Sequence, residues 1–595
     1  MPEKVKSAPE PSSEAAVVRR LLGYLHGDTA TILGVAVALI VAASASALAP
    51  ALIGRAIDQF ISAGDRSGLA QTMLLLFGVY ILSYLGFMGQ IRSIGKLSQQ
   101  LLKRLRLDIF AHVQRLSMSF FDKAGTGDVM SRLVNDSEVI GNLFSQSLVQ
   151  ALGSMFNLAA IVVAMFALNW QLALVTLVVV PIMFVATRFF SARARVAQRL
   201  TRETLGHLSE HLEEDLTSVR EVQAFRREDQ NIQHFEGDSA AYRDASVQAA
   251  SITAVFAPTM DVLSTVATAL VAGVGGWLAF NDVVTVGVVV AFLAYTDRFF
   301  RPVQQISTFY TQMQAAFAAS ERVFELLDTP PTVVDRQDAK TLPSIEGYVR
   351  FDDVYFGYDE DELILTGLSL EAKSGETVAL VGATGAGKST IINLISRFYD
   401  VNSGVVSIDG YDVRDVTVRS LRQQLGEVPQ NSFLFANTVA DNIRYGLPEV
   451  PLAGVIEAAK AARAHEFIEA LPNGYDTELG ERGVTLSQGQ RQLLCIARAI
   501  LANPRLLILD EATSNIDTRT ERLVQQAIDA LLKGRTAFVI AHRLSTIRNA
   551  DQIMVIERGQ VAERGTHAEL LAFDGMYAAL YQKQAQTLNP SLVGK

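Results

Sequence analysis

A chain of 595 residues is too long for one hydrophobic core, so several domains are expected. Hydrophobic residues at 49% against 19% charged suit a chain with membrane and water-soluble parts, and a net charge of -10 argues against a nucleic-acid partner, which calls for a basic face. The single cysteine, Cys495, rules out a disulfide framework or a cysteine-rich zinc site within the chain, and is expected to pack as a small apolar residue.

Residues 1–16 are polar and rich in Pro and Ser, and are expected to form a disordered tail. No apolar core directly follows a basic start, so this is not a signal peptide. In "VVRRLLGYL", Val17, Val18, Leu21, Leu22 and Leu25 share one side of a helix. The pattern predicts an amphipathic helix on the membrane surface, with Arg19 and Arg20 toward the headgroups.

Six apolar runs follow: Thr31–Ile53, Ala70–Phe87, Phe144–Leu168, Leu172–Phe189, Ala250–Phe280 and Val283–Leu293. All but the last fall within or above the roughly 17–25 residues a helix needs to cross hydrocarbon. The last is short but continues helically through "AYTDRFFRPVQQIS". The links at Asn169-Trp170 and Asn281-Asp282 are tight turns without Lys or Arg, whereas Gln90–Val139 and Ser191–Gln248 are long and basic. The positive-inside rule puts both termini and the long segments in the cytoplasm. From Ile91 to Phe121 a helix reaches ~45 Å at about 1.5 Å per residue, so the spans are expected to continue well beyond the membrane.

Two polar features within this half invite functional readings. Asp261 lies inside an apolar run, where a carboxylate is costly; it suits either the lining of a transport path, favouring a cation or a proton, or a buried hydrogen-bonded acid. "HLSEH" (207–211) matches a zinc-peptidase pattern through His207, Glu210 and His211. Leu205, Leu208, Leu212, Leu216 and Val219 form that helix's apolar stripe, which leaves the histidines on its polar side with no further ligand nearby.

A Pro- and Asp-containing linker, 328–346, marks a change of composition. Beyond it "TVALV", "LLILD" and "AFVIA" are short buried strands separated by helical stretches. The fold class expected is multi-domain: an all-α six-helix transmembrane domain (17–327), then an α/β P-loop domain (347–584), with a tail at 585–595.

"GATGAGKST" follows the first of those strands and opens a helix, the context that a phosphate-binding loop requires. Its residues Gly382, Ala383, Thr384, Gly385, Ala386, Gly387, Lys388, Ser389 and Thr390 are the candidate cradle. Backbone N–H groups and the helix N-terminus wrap phosphate, Lys388 reaches the β- and γ-phosphates, and Ser389 ligates Mg²⁺. "LLILDEATS" ends a buried strand in two carboxylates: Asp510 for the Mg²⁺ shell and Glu511 to polarise the attacking water. His542 leaves another apolar strand, where it is a candidate contact for a γ-phosphate. Ser487, Gln488, Gly489 and Gln490, in "GVTLSQGQRQ", open a helix built to hold a second anion.

"GATGAGKST", "VPQ", "LSQGQRQ", "LLILDEATSNID" and "AHRLST", in that order, resemble the nucleotide-binding domain of ABC transporters. "SFFDKAGTGDVMSRLVNDSEVI" (119–140) and "EDLTSVREVQAFRRE" (214–228) resemble the cytoplasmic coupling segments of the exporter branch, the bacterial multidrug and lipid exporters. The resemblance implies that Tyr358 stacks on adenine, that Gln430 senses Mg²⁺ and γ-phosphate, that 477–483 contacts coupling segments, and that Asp517 lies where two nucleotide domains meet. It also implies that Ser487 and Gly489 face the γ-phosphate of a partner chain's ATP.

The function so implied is ATP-driven export of a hydrophobic or amphipathic small molecule by a dimer in the cytoplasmic membrane, with ATP and Mg²⁺ as cofactors and membrane lipids as neighbours. A lipid flippase is the near alternative; an ATP-gated channel or regulatory ATPase and a zinc peptidase are remote ones. Gln488 departs from the L-S-G-G-Q pattern of the family, which favours a non-identical second half-transporter over an identical one.

Overall fold

The computed structural model describes residues 14–588, apart from His26 and residues 360–361, 481–482, 511–516 and 541–546. The chain divides into two units. One holds the chain up to Gln114 and Gly127–Thr329; the other holds Arg115–Thr126 and the chain from Pro330.

The first unit is helical. Among the described residues, five stretches are long and apolar enough to cross a membrane: Thr29–Ile61, Arg66–Val113, Thr126–Leu168, Trp170–Thr217 and Glu228–Phe280. A further helix, Val286–Asp328, is equally continuous, but Asp297, Arg298 and Arg301 interrupt its apolar run. The short span expected up to Leu293 is thus the first part of a 43-residue helix. Arg66–Val113 has 48 residues, or ~72 Å at about 1.5 Å per residue, against ~30 Å of hydrocarbon. Its remainder carries the basic sequence. Pro181 has no N–H to offer the Leu177 carbonyl, and the regular helix breaks at Val178.

Local chemistry sets the turns. Asn169 is extended, and its side chain accepts from Leu172 N at 3.0 Å, which starts the helix at Trp170. Asp65 accepts from Ser67 N and Gly68 N to start Arg66–Val113. Gly54 and Gly287 let the first and last long helices touch: a Cβ on Gly287 would lie 2.1 Å from Gly54 O. Asp58 fixes the same crossing by accepting from Gly287 N at 2.7 Å. The packed interior includes Met165, Leu172, Val271, Phe292 and Tyr295, and the Tyr295 hydroxyl donates to Ala47 O. Asp261 is exposed on Glu228–Phe280.

Two expectations change here. The helix Glu14–Gly23 buries Val17 and Leu21 against protein and leaves Val18 and Leu22 exposed. Arg20 is engaged within the chain: it pairs with Asp328 at 2.6 Å and lies over the Phe324 ring. The zinc reading of "HLSEH" finds no support. His211 Nδ1 is 2.6 Å from Asp238, His207 and Glu210 are exposed, and among the described residues no group of three acidic, His or Cys side chains can hold a metal.

Among the described residues the second unit contains ten strands: β1 Val349–Phe356, β2 Leu365–Ala372, β3 Thr377–Val381, β4 Ser403–Ile408, β5 Tyr411–Asp412, β6 Leu425–Val428, β7 Leu506–Asp510, β8 Thr536–Ile540, β9 Gln552–Glu557 and β10 Gln560–Gly565. An antiparallel sheet has the order β2-β1-β4-β5, and a six-stranded sheet the order β10-β9-β3-β8-β7-β6, in which all pairs but β9–β10 are parallel.

Alternation explains why the parallel strands read as continuous apolar runs. Ala379, Leu507, Leu509, Val539 and Val555 join one core, while Val378, Leu380, Ile508, Phe538 and Met554 join another across the sheet. Both faces are covered, so neither tolerates polar residues. Each large side chain buried this way contributes ~1.5–3 kcal/mol.

Candidate functional site

The loop 382–387 leaves the C-terminal end of β3 and feeds the helix Lys388–Ile395. Gly387 is that helix's N-cap at φ 105°, a backbone conformation that a side chain would strain. Ala383, Thr384, Gly385 and Ser389 are exposed, so the rim of the loop is open, while Ala386 and Thr390 are buried beneath it.

Lys388 folds back into the loop. Its Nζ donates to Gly382 O at 2.9 Å and Ala383 O at 2.8 Å. Burial pulls its ammonium below the ordinary lysine range, and the Asp510 carboxylate opposes that shift. A cavity of about 540 Å³ flanks Gly382–Ala386 and separates them from Met576 and Leu580.

Register brings the strand ends together. Asp510 lies opposite Ile540, which lies opposite Leu380, so the Asp510 carboxylate ends on the same edge of the sheet as the P-loop. Glu511 follows it directly, but Glu511 and His542 lie outside the described residues. Gln430 is exposed, two residues beyond β6, which neighbours β7. Ser389 and Asp510 offer hard oxygen donors, the kind Mg²⁺ takes.

Tyr358 follows β1 and stands in an aromatic cluster. Its ring meets Phe356 edge-to-face at 5.1 Å and Tyr399 at 5.0 Å. Asn393 Nδ2 donates to its hydroxyl at 3.0 Å, and Thr390 Oγ1 lies 3.4 Å away, so the ring is tied to the helix that the P-loop opens. Tyr399 and Arg397, in "RFYD" (397–400), carry none of the expected roles; only their place after the P-loop helix marks them.

The stretch expected to hold a second anion is a helix start in its own right. Ser487 caps Gln488–Ala502: its hydroxyl accepts from Gln490 N at 3.2 Å, and Gln490 Oε1 accepts from Ser487 N at 2.9 Å. Ser487 and Gln490 thus bond to each other and not to the P-loop. Gln488 is partly exposed at the first position, and Gly489 is buried behind it. Asp517 caps Thr518–Leu532 by accepting from Arg519 N and Thr520 N, which holds its carboxyl below the usual range.

Comparison with known proteins gives the family. Residues 32–303 match the ABC transporter transmembrane region, and residues 365–514 match the ABC transporter family. An uncharacterised ABC transporter ATP-binding protein of Bacillus subtilis, YknV, is 39% identical over 96% of this chain and 94% of its own length. An ATP-dependent lipid A-core flippase of Syntrophus aciditrophicus is 40% identical over 82% of this chain and 81% of its own. The solved structure of a bacterial Atm1-family ABC exporter with ATP bound aligns at a TM-score of 0.75 and 32% identity, over 96% of this chain and 99% of that one. This multi-pass membrane ATPase, which couples ATP hydrolysis to transport, therefore belongs to the ABC transporters, as a half-transporter of the exporter type that functions as a dimer.

Proposed function

We propose that the chain exports a hydrophobic or amphipathic small molecule, drug-like or lipid, across the cytoplasmic membrane, with its nucleotide domain and both termini in the cytoplasm. The observation that carries this is the union, in one chain, of membrane-length helices with a P-loop whose lysine is held by two carbonyls that phosphate can displace.

ATP is the substrate of the nucleotide domain. Adenine stacks on Tyr358, and the N–H groups of 382–390 and Lys388 hold the phosphates. Ser389 and Asp510, with Gln430 at the edge, hold Mg²⁺, which neutralises phosphate charge when bound. Glu511 orients the attacking water and His542 contacts the γ-phosphate. Ser487, Gln488, Gly489 and Gln490 complete the site of a partner chain, with Asp517 where the two domains meet. A phosphate there gains the free donors of the helix start while the Ser487–Gln490 cap remains. ATP drives closure because it binds the closed dimer better than the open one. Gln488, where the family pattern has glycine, supports a non-identical partner and a slower site at this signature.

Lipid flipping is the second reading, supported by the similarity to a lipid A-core flippase. Both are tested in proteoliposomes containing this chain alone and with candidate partner chains, by following ATP hydrolysis and the movement of fluorescent lipids and cationic dyes. Glu511→Gln should abolish ATP-dependent movement. An unchanged ATPase in that variant, or no ATP-dependent movement of any lipid or dye, would sink the proposal.

A further inference from the structure

The short helix Met118–Lys123 belongs to the nucleotide unit although the sequence on either side of it belongs to the membrane unit. Two of its contacts there, those of Asp122 and Lys123, lead to Tyr358. Asp122 accepts a hydrogen bond from the Tyr399 hydroxyl, and the Tyr399 ring meets Tyr358 edge-to-face at 5.0 Å. Lys123 Nζ lies 3.1 Å from the carboxylate of Asp359, the residue after Tyr358. Burial and the Asp122 carboxylate both push the Tyr399 phenol up, so it remains a donor at any physiological pH.

Tyr399 is held from behind. Arg397, 1% exposed, donates to Asp400, to Val416 O and to Val334 O, and so fastens the turn to the segment that follows Pro330. Arg422 donates to Ser396 O and Arg397 O and lies over Phe398. With the turn fixed and the Tyr358 hydroxyl tethered to Asn393, a shift of the Tyr358 ring presses, among the described residues, on two aromatic neighbours, Phe356 in the buried sheet and Tyr399. Phe356 is core; Tyr399 ends on Met118–Lys123.

We propose that Tyr399 is a positioning residue that passes occupancy of the adenine platform at Tyr358 to the segment Met118–Lys123 of the same chain. The inference rests on the reading that Tyr358 stacks adenine. The route is short: base, Tyr358, Tyr399, Asp122. It leads into a segment continuous by two covalent connections with the membrane helices Arg66–Val113 and Thr126–Leu168. Nucleotide loading is then reported before hydrolysis, by a contact that does not touch phosphate.

The chain carries its own reporter. Both of its tryptophans, Trp170 and Trp277, are exposed in the membrane unit and the nucleotide unit has none, so tryptophan emission follows the membrane unit alone. The full chain is placed in phosphatidylglycerol nanodiscs. Affinity is measured with trinitrophenyl-ATP displaced by ATP, and emission is followed as ATP is added. Tyr399→Phe keeps the ring and removes the hydroxyl; Asp122→Ala removes the acceptor from an exposed position and cannot disturb the core. Both variants should keep ATP affinity within about twofold while the ATP-dependent emission change falls at least about fivefold, the low end of coupling between sites. Asp122→Asn, whose amide oxygen still accepts, should recover part of the change.

A full emission change in Tyr399→Phe and Asp122→Ala overturns the proposal. So does a parallel loss of ATP affinity, which would make Tyr399 a structural part of the site. A wild-type chain that binds ATP without any emission change refutes the relay alone, whereas one that binds no ATP refutes the parent reading and this inference with it.

Discussion

Two short helices interrupt the long ones, Met118–Lys123 and Val219–Ala224, and their surroundings differ. The first has its aromatic pair, Phe120 and Phe121, half-buried, with Ser119 bonded to Thr332, Asp122 to Tyr399 and Lys123 beside Asp359. The second is clamped at its base, where Asn231 donates to Asp215 and His211 bonds Asp238, but its tip is bare: Phe225 is 77% exposed and Leu216 65%. Apolar tips left in water are uncommon on a finished surface and mark a contact with another molecule. The first segment has its partners in its own chain. The second has an unmet need, which in a dimeric family a second chain can fill.

The largest effect should come from the anchor on the satisfied side. Arg397→Met strands Asp400 and leaves the carbonyls of Val416 and Val334 without their donor. Asp400 keeps part of its surface in water, so the cost falls mainly on the two carbonyls, at about 1–3 kcal/mol for each polar group left unmet, and the unfolding free energy of the nucleotide unit should drop by roughly 3 kcal/mol. Calorimetry of the full chain checks it. An unshifted transition would mean that the turn after the P-loop helix is not what holds the segment beyond Pro330.

Phe225→Asp probes the bare side. The residue is exposed in the single chain, so thermal stability should hold, but an aromatic anchor at an interface is worth about 2 kcal/mol or more, roughly 30-fold in binding. Dimer mass and ATP turnover should fall together by that order in chromatography and steady-state assays. If both persist, the tip of the second segment does not dock on a partner, and the contrast between the segments is only one of solvent exposure.

What the sequence made legible follows from how local each constraint is. The P-loop is nine contiguous residues between a strand and a helix, so its phosphate chemistry is written in one place. The membrane helices were legible because hydrocarbon tolerates one composition. Their continuation beyond the membrane was legible too, but the residue at which each ends was not, because a helix carries on unchanged when its sequence turns polar, as Arg66–Val113 does. The last helix was legible as a continuation through Asp297 and Arg298, which break its hydropathy without breaking its backbone; what was not legible is how Arg298 is satisfied, by Ser46 O at 2.8 Å, a bond no periodicity announces. The same holds for Tyr399 and Asp122, 277 positions apart, and for Arg20 and Asp328, 308 apart. Such pairs leave no pattern in either neighbourhood. The residues of "RFYD" likewise act through distant partners, Arg397 through Val416 O and Val334 O, Phe398 beneath Arg422, and Tyr399 through Asp122.

The smallest effect concerns the clamp beneath the second segment, and it has a sign that can be worked out. The hydrogen bond and charge of Asp238 raise the His211 imidazole above its ordinary value of 6.5, and Glu210 and Glu214 push the same way. A group whose folded value is raised contributes stability that is fully present below the unfolded value and is lost as pH climbs through the folded one. The clamp between Val179–Thr217 and Glu228–Phe280 should therefore be intact at acid pH and weaken on the alkaline side of 6.5. His211→Ala should melt below wild type at pH of about 6 and match it by pH of about 9, with only a small gap because both partners face water. A gap that stays constant across that range would show that His211 holds the helices by packing and not by charge, and would remove protonation as a means of loosening the segment whose tip awaits a partner.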